Sequence, residues 1–149
     1  MTLDFERVYK EYSAVVYRIG ILFFRDASKA EDVVQDCFVK LFSAQPRIAD
    51  EGHLKGWLIT VARNLCRTQA RRDRRTVPLE EDIPCSPSEN AVLGEIMSLP
   101  ELDRTVVYLH YYEGYASKEI ASFLRVTDGA VRARLKRARA ELRTILEEF

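Results

Sequence analysis

Six cations crowd one short stretch near the end of the chain: Arg132, Arg134, Lys136, Arg137, Arg139 and Arg143, with only Glu141 among them as an acid. A second cluster, Arg63, Arg67, Arg71, Arg72, Arg74 and Arg75, is opposed only by Asp73. Guanidinium groups bind phosphate, and their planar forks also match the acceptor pair on a guanine edge. Between the clusters, residues 76–103 hold Glu80, Glu81, Asp82, Glu89, Glu95, Glu101 and Asp103 and no Lys or Arg. The formal net charge of zero over 149 residues therefore conceals two cationic patches separated by an acidic middle.

Other chemistry has less support. Cys37, Cys66 and Cys85 have no short spacing with one another or with His53 and His110, so neither a zinc site nor a disulfide framework is read. Cys37 and Cys66 fall in apolar-periodic segments and read as small buried hydrophobes. There is no glycine-rich phosphate loop and no nucleophile elbow. The chain is expected not to be an enzyme and to need no metal or cofactor. No apolar run approaches the roughly 20 residues that span a bilayer. The opening MTLDFERVYKEY lacks the apolar centre of a secretory signal. No membrane insertion is expected, and the cytoplasm is the expected location.

The segments that carry the cations read as helices throughout, which makes the fold class all-α. Phe5, Val8, Tyr9, Tyr12, Val15, Val16, Ile19, Leu22 and Phe23 recur at spacings of three and four. A second helix is expected to open at Ser28, with Glu31 in capping-box spacing, and to bury Val33, Val34, Cys37, Phe38, Leu41 and Phe42. A loop containing Pro46 and Gly52 follows. A third helix is expected from about Leu54, with Trp57, Leu58, Val61, Ala62, Leu65 and Cys66 inward and the first arginine cluster in its last turns. Pro78, Pro84 and Pro87 then break helix, and residues 76–88 read as an acidic, flexible linker between two small helical domains.

Beyond the linker a short helix is expected over residues 89–98. Pro100 opens another, closed by Gly114. Two last helices, YASKEIASFL and the one beginning at Thr127 or Asp128, are joined by a short break at Arg125 and Val126, as in a helix-turn-helix unit. Thr127 suits an N-cap. Ile120, Ala121 and Leu124 face inward from the first of the pair. Val131, Leu135, Ala138, Leu142 and Ile145 form the docking stripe of the second, which leaves its cations outside. Such a helix fits the major groove.

EIASFLRVTDGAVRARLKRARAEL, with LPELDRTVVYLHYYEGYASKEI before it, resembles the fourth region of bacterial sigma factors of the extracytoplasmic-function group. AEDVVQDCFVKLF resembles the clamp-binding helix of their second region, and GWLITVARNLCRTQARRDRR their promoter-reading helix. The resemblance implies a region 2-like domain over residues 1–75, the linker over 76–88 and a region 4-like domain over 89–149. It implies a monomer that binds the clamp and flap of core RNA polymerase, promoter DNA and an anti-sigma protein. Carried over residue by residue, the polymerase face is Asp32, Gln35, Asp36, Phe38 and Phe42. The −10 strand is held by Arg63, Asn64, Arg67, Arg71 and Arg72, with a base pocket between the loop 43–56 and the third helix. The −35 duplex is met by Arg132, Ala133, Lys136 and Arg137 at base edges, and by Thr127, Arg134 and Arg139 at phosphates. No sensor domain is expected after Phe149.

Two positions depart from the family pattern. Arg125 stands in the turn where glycine is usual, so that turn is expected to be strained or differently shaped. Asp128 opens the last helix, where it would repel phosphate or complement the helix dipole. Two other readings stay open on the residues alone: an autonomous helix-turn-helix regulator, and a sigma-like polymerase-binding protein that does not read DNA.

Overall fold

The computed structural model describes residues 2–76 and 96–147, with side chains over 2–73 and 96–143. Every regular element among the described residues is helical. The chain divides into two compact units, Met1–Pro84 and Cys85–Phe149. Most of the expected linker and of the helix expected over 89–98 lies outside the described residues.

The first unit packs three helices, α1 (Phe5–Phe24), α2 (Ala27–Ala44) and α3 (Glu51–Thr76). Asp4 caps α1 by accepting the Arg7 N–H at 3.3 Å. The periodic stripe of α1 is the buried one: Val8, Tyr12, Val15, Val16, Ile19 and Leu22. The cap of α2 differs from the expected Ser28–Glu31 box. Asp26 accepts the Lys29 N–H at 3.1 Å, so the helix starts before Ser28. With the helix begun at Asp26, the Ala30 N–H that Ser28 could have capped already bonds the Asp26 carbonyl at 3.0 Å, so serine is displaced as the cap. Likewise α3 begins at Glu51 and not near Leu54, because Asp50 accepts the His53 N–H at 2.8 Å; Gly52 is helical and not part of the loop.

Close approach of α1 and α2 depends on Gly20. A Cβ there would lie 2.8 Å from the Ala30 Cα and 3.0 Å from its Cβ. Backbone, and not a flexible side-chain end, would have to move. Gly20→Ala is expected to lower stability by about 1–3 kcal/mol from overpacking, beyond the roughly 1 kcal/mol that alanine gains in helix propensity. A urea unfolding midpoint equal to that of the unaltered chain would show that the two helices can separate there at no cost. At one end of the bundle Glu51 joins α3 to α1: Tyr12 donates its hydroxyl to the carboxylate, and Arg7 donates to it at 2.7 Å. That hydroxyl and guanidinium hold the Glu51 carboxyl below the ordinary glutamate range.

The second unit contains α4 (Glu101–Val107), a π-helical turn (Tyr108–Tyr112), α5 (Ser117–Leu124) and α6 (Asp128–Glu147). Pro100 opens α4, as expected. Arg104 is buried and donates to the Leu99 carbonyl at 3.0 Å, fixing the chain that enters the helix. The helix expected from Pro100 to Gly114 widens over its second half. Glu113 N–H closes the wide turn on the Tyr108 carbonyl at 3.2 Å. Tyr108 stays buried, bonded through its hydroxyl to Glu113 at 2.6 Å, while Tyr111 and Tyr112 face outward. Gly114 follows with φ +77°, a conformation that glycine adopts without steric cost. Val106, Val107, Leu109, Ile120, Leu124, Val131 and Leu135 form the core of this unit with Ile96 and Leu99.

Candidate nucleic-acid interface

The cations of α6 are set by how that helix begins and docks. Thr127 is its cap: its Oγ1 accepts the Ala130 N–H at 3.1 Å. Asp128 neither points at a phosphate site nor stands alone. It accepts the Ser117 hydroxyl at 2.6 Å, which ties α6 to the start of α5, and it pairs with Arg132 Nε at 3.3 Å. Arg125 takes φ 57° and ψ 45°, and the Val126 N–H closes on the Ala121 carbonyl at 3.1 Å. The turn thus keeps the left-handed shape despite a side chain that disfavours it. Arg125→Gly is expected to raise stability by about 1 kcal/mol, the cost of a left-handed residue bearing a Cβ. A midpoint in chemical denaturation that stays put or falls would show the turn to be unstrained.

Val131, Leu135 and Ala138 are buried, as read from the sequence, and Leu142 is half-buried. Opposite this stripe Arg132, Ala133, Lys136 and Arg137 are exposed at positions i, i+1, i+4 and i+5, which is one face of a helix. The face that can enter a groove is therefore cationic and small in the middle, with room for a base edge beside Ala133. Arg139 is exposed beside it and reaches the Tyr111 hydroxyl at 3.4 Å. Arg134 is differently placed. It turns toward α4 and bonds the buried Asp103 at 2.8 Å, and Arg137 reaches the same oxygen at 3.4 Å. Sequence reading missed Asp103, which lies in the acidic middle.

In the first unit the cationic end of α3 is only partly a surface. Arg67, Arg71 and Arg72 are exposed and Asn64 is half-buried. Arg63, expected to hold a strand, is buried, its guanidinium 5.0 Å from the centre of the Phe23 ring. It follows Ile59 by four and precedes Cys66 by three, both buried, so the helix turns it inward. Trp57, expected on the core stripe, is only half-buried, as are Thr60 and Leu65. Trp57, Thr60, Asn64, Arg67 and Arg71 recur at three and four and make one accessible row, aromatic at one end and cationic at the other. Such a row suits a single strand, whose backbone tracks cations and whose bases stack. Thr60 was missed, although its spacing to Asn64 signalled it.

On α2, Asp32, Gln35 and Asp36 are exposed on one face, as their spacing required. Phe38 and Phe42 part company. Phe38 is 2% exposed and packs edge-on against the rings of Phe5 and Tyr9, so it belongs to the core. Phe42, expected on the buried stripe, is 61% exposed. Val39, missed by the sequence reading, is 65% exposed on the same side, with Phe5 and Tyr9 half-exposed nearby on α1. An apolar residue off the buried stripe was the available signal. Gln35 also lines an open groove of about 420 Å³ with Tyr9, Ser13, Tyr17, Glu31 and Val34.

Among the described residues no group of three or more His, Cys, Asp or Glu side chains could hold a metal ion, and no helix is long and apolar enough to cross a membrane. Cys37 and Cys66 are buried, and burial pushes the Cys37 thiol up to about 12, so it is a poor nucleophile.

Comparison with known proteins follows the same division. The Sigma-70 region 2 family matches residues 8–76, and the Sigma-70 region 4 family matches residues 89–142. The chain is 32% identical to the ECF RNA polymerase sigma factor SigL of Mycobacterium tuberculosis, over 95% of this chain and 88% of that one. It is also 32% identical to the probable RNA polymerase sigma factor RfaY of Xanthomonas campestris, over 90% of this chain but 38% of that longer protein. Among solved structures it is similar to the sigma factor RpoE of Bartonella quintana, seen in complex with the anti-sigma factor NepR, with a TM-score of 0.77, 25% identity and 97% of both chains covered. The two matched regions fall on the three-helix unit and on the helix-turn-helix unit, and the chain belongs to the extracytoplasmic-function (ECF) group of RNA polymerase sigma factors.

Proposed function

We propose that this chain binds bacterial core RNA polymerase and directs it to specific promoters, where it initiates transcription. The exposed face of α6, held at its start by Thr127 and Asp128 and docked by Val131 and Leu135, carries this reading. Residues 89–149 act as the −35 reader, with Arg132, Ala133, Lys136 and Arg137 at base edges and Thr127 and Arg139 at phosphates. Arg134, drawn toward Asp103, contributes charge from behind that face. Residues 1–75 bind the polymerase clamp and capture the −10 strand, and residues 76–88 link the two. Asp32, Gln35, Asp36 and Phe42, with Val39, form the clamp face, and Phe38 supports it from within. Asn64, Arg67, Arg71 and Arg72 hold the opened strand, with Arg63 as packing beneath them.

Cations of one sign on two units would be costly to leave bare near other nucleic acids, and a protein that covers them is a natural regulator. The sigma factor of Bartonella quintana is seen with an anti-sigma factor, and an anti-sigma partner is proposed here also. The chain acts as a monomeric specificity subunit in the cytoplasm and carries no catalysis of its own; the chemistry of RNA synthesis belongs to the polymerase. Mixing the purified chain with bacterial core polymerase and following co-elution by size exclusion tests the first step. Stoichiometric co-elution is expected, and separate elution at micromolar concentrations would overturn the reading.

A further inference from the structure

We propose that Asp103 is a positioning residue for Arg137, and that the base preference of α6 depends on it. This rests on the reading of α6 as the −35 reader. Asp103 is fully buried on α4, yet one of its oxygens serves two cations more than 30 residues away in sequence. Arg134 donates to it at 2.8 Å and is itself 32% exposed; Arg137 donates at 3.4 Å through one Nη and is 57% exposed. Arg134 is thus the inner member of the pair, and Arg137 extends past it with its remaining donors in solvent. A guanidinium presents five donors in one rigid plane, so fixing one nitrogen sets the direction of the rest. A free arginine loses much rotamer freedom on binding, and a pre-oriented one loses less.

Stability is a poor account of this carboxylate. A buried ion pair gains little net over an apolar replacement of the same volume. The second oxygen of Asp103 is buried with no hydrogen-bond partner among the described residues, so the group is incompletely satisfied as a purely structural element. Among the described residues Arg132 pairs within its own first turn, with Asp128, and Lys136 is exposed. Of the cations at the proposed base edges, Arg137 alone among the described residues is tied to a buried carboxylate.

The test uses the full chain with core polymerase on templates in which each −35 position is varied in turn. Asp103→Asn keeps the shape and removes the charge. Its preference at one −35 position is expected to contract about tenfold, with −10 preferences unchanged. Arg137→Ala is expected to relax the same position, and Asp103→Asn to add nothing in that background. Intact preferences in Asp103→Asn, or an equal loss over all −35 sequences, would overturn the proposal by reducing Asp103 to packing. If Asp103→Asn fails to fold, Arg134→Gln decides, because it leaves the carboxylate to Arg137 alone. Preference at the Arg137 position is then expected to survive while affinity falls evenly, and its loss would overturn the proposal. Should Arg137→Ala leave every −35 position unchanged, the −35 reading itself fails, and the positioning role with it.

Discussion

Phe38→Ala is expected to destabilise the first unit by about 3–5 kcal/mol, the range for truncating a buried phenylalanine. Phe42→Ala, one turn along the same helix, is expected to cost about 1 kcal/mol or less, the worth of its one edge-on contact with the Phe5 ring at 5.2 Å. Phe38 packs against two rings, those of Phe5 and Tyr9, and Phe42 against that of Phe5. Phe38 sits at 2% exposure under the rings of Phe5 and Tyr9, while Phe42 lies at the rim at 61% exposure. Their effects on partner binding should be reversed once fold is controlled. Phe42→Ala should weaken association with core polymerase about tenfold or more, the cost of removing an aromatic anchor from an interface. Thermal unfolding and a polymerase titration on both variants make the check. A stable Phe38→Ala protein, or unchanged polymerase affinity in Phe42→Ala, would contradict this placement of the clamp face.

Arg137→Ala and Arg139→Ala should separate base reading from charge. Arg137 stands in the row of exposed residues opposite the docking stripe, and Arg139 stands beside it. Arg137→Ala is expected to cost about 1–3 kcal/mol on the preferred promoter and to relax one −35 position. Arg139→Ala should weaken all sequences alike and lower the salt slope of DNA binding by about 1. Promoter binding by the polymerase complex over a salt series, on preferred and altered −35 sequences, reads both. Uniform loss in Arg137→Ala would make it a phosphate contact only.

How far the sequence carried these assignments depends on the kind of information each needed. The helices and most of the core were legible because apolar spacing of three and four over 18 or more residues has no competing explanation in α1 and α2. The cap at Asp26 was missed because a serine and a glutamate downstream make an equally good local pattern, and only the backbone decides between them. A stripe of Val33, Val34, Cys37, Phe38, Leu41 and Phe42 is wider than one packed face. The sequence could not say which edge would stay uncovered. The π-helical turn over Tyr108–Tyr112 left no signal, since YLHYY is bulky at nearly every position and no spacing stands out. Arg63 was read by its charge, whereas its register with Ile59 and Cys66 decided its burial. Asp103 illustrates the remaining gap: its partners are remote in the chain, and only packing of α4 against α6 brings them together.

On the proposed function, the chain confers promoter choice on polymerase and has no such activity alone. Run-off transcription on a randomised promoter library, with the chain, with core polymerase and with both, tests it most directly. Transcripts only in the combined reaction, enriched for two short elements at a fixed separation, are the predicted result. Specific DNA binding by the chain alone without transcripts, or association with polymerase without selected sequences, would contradict it.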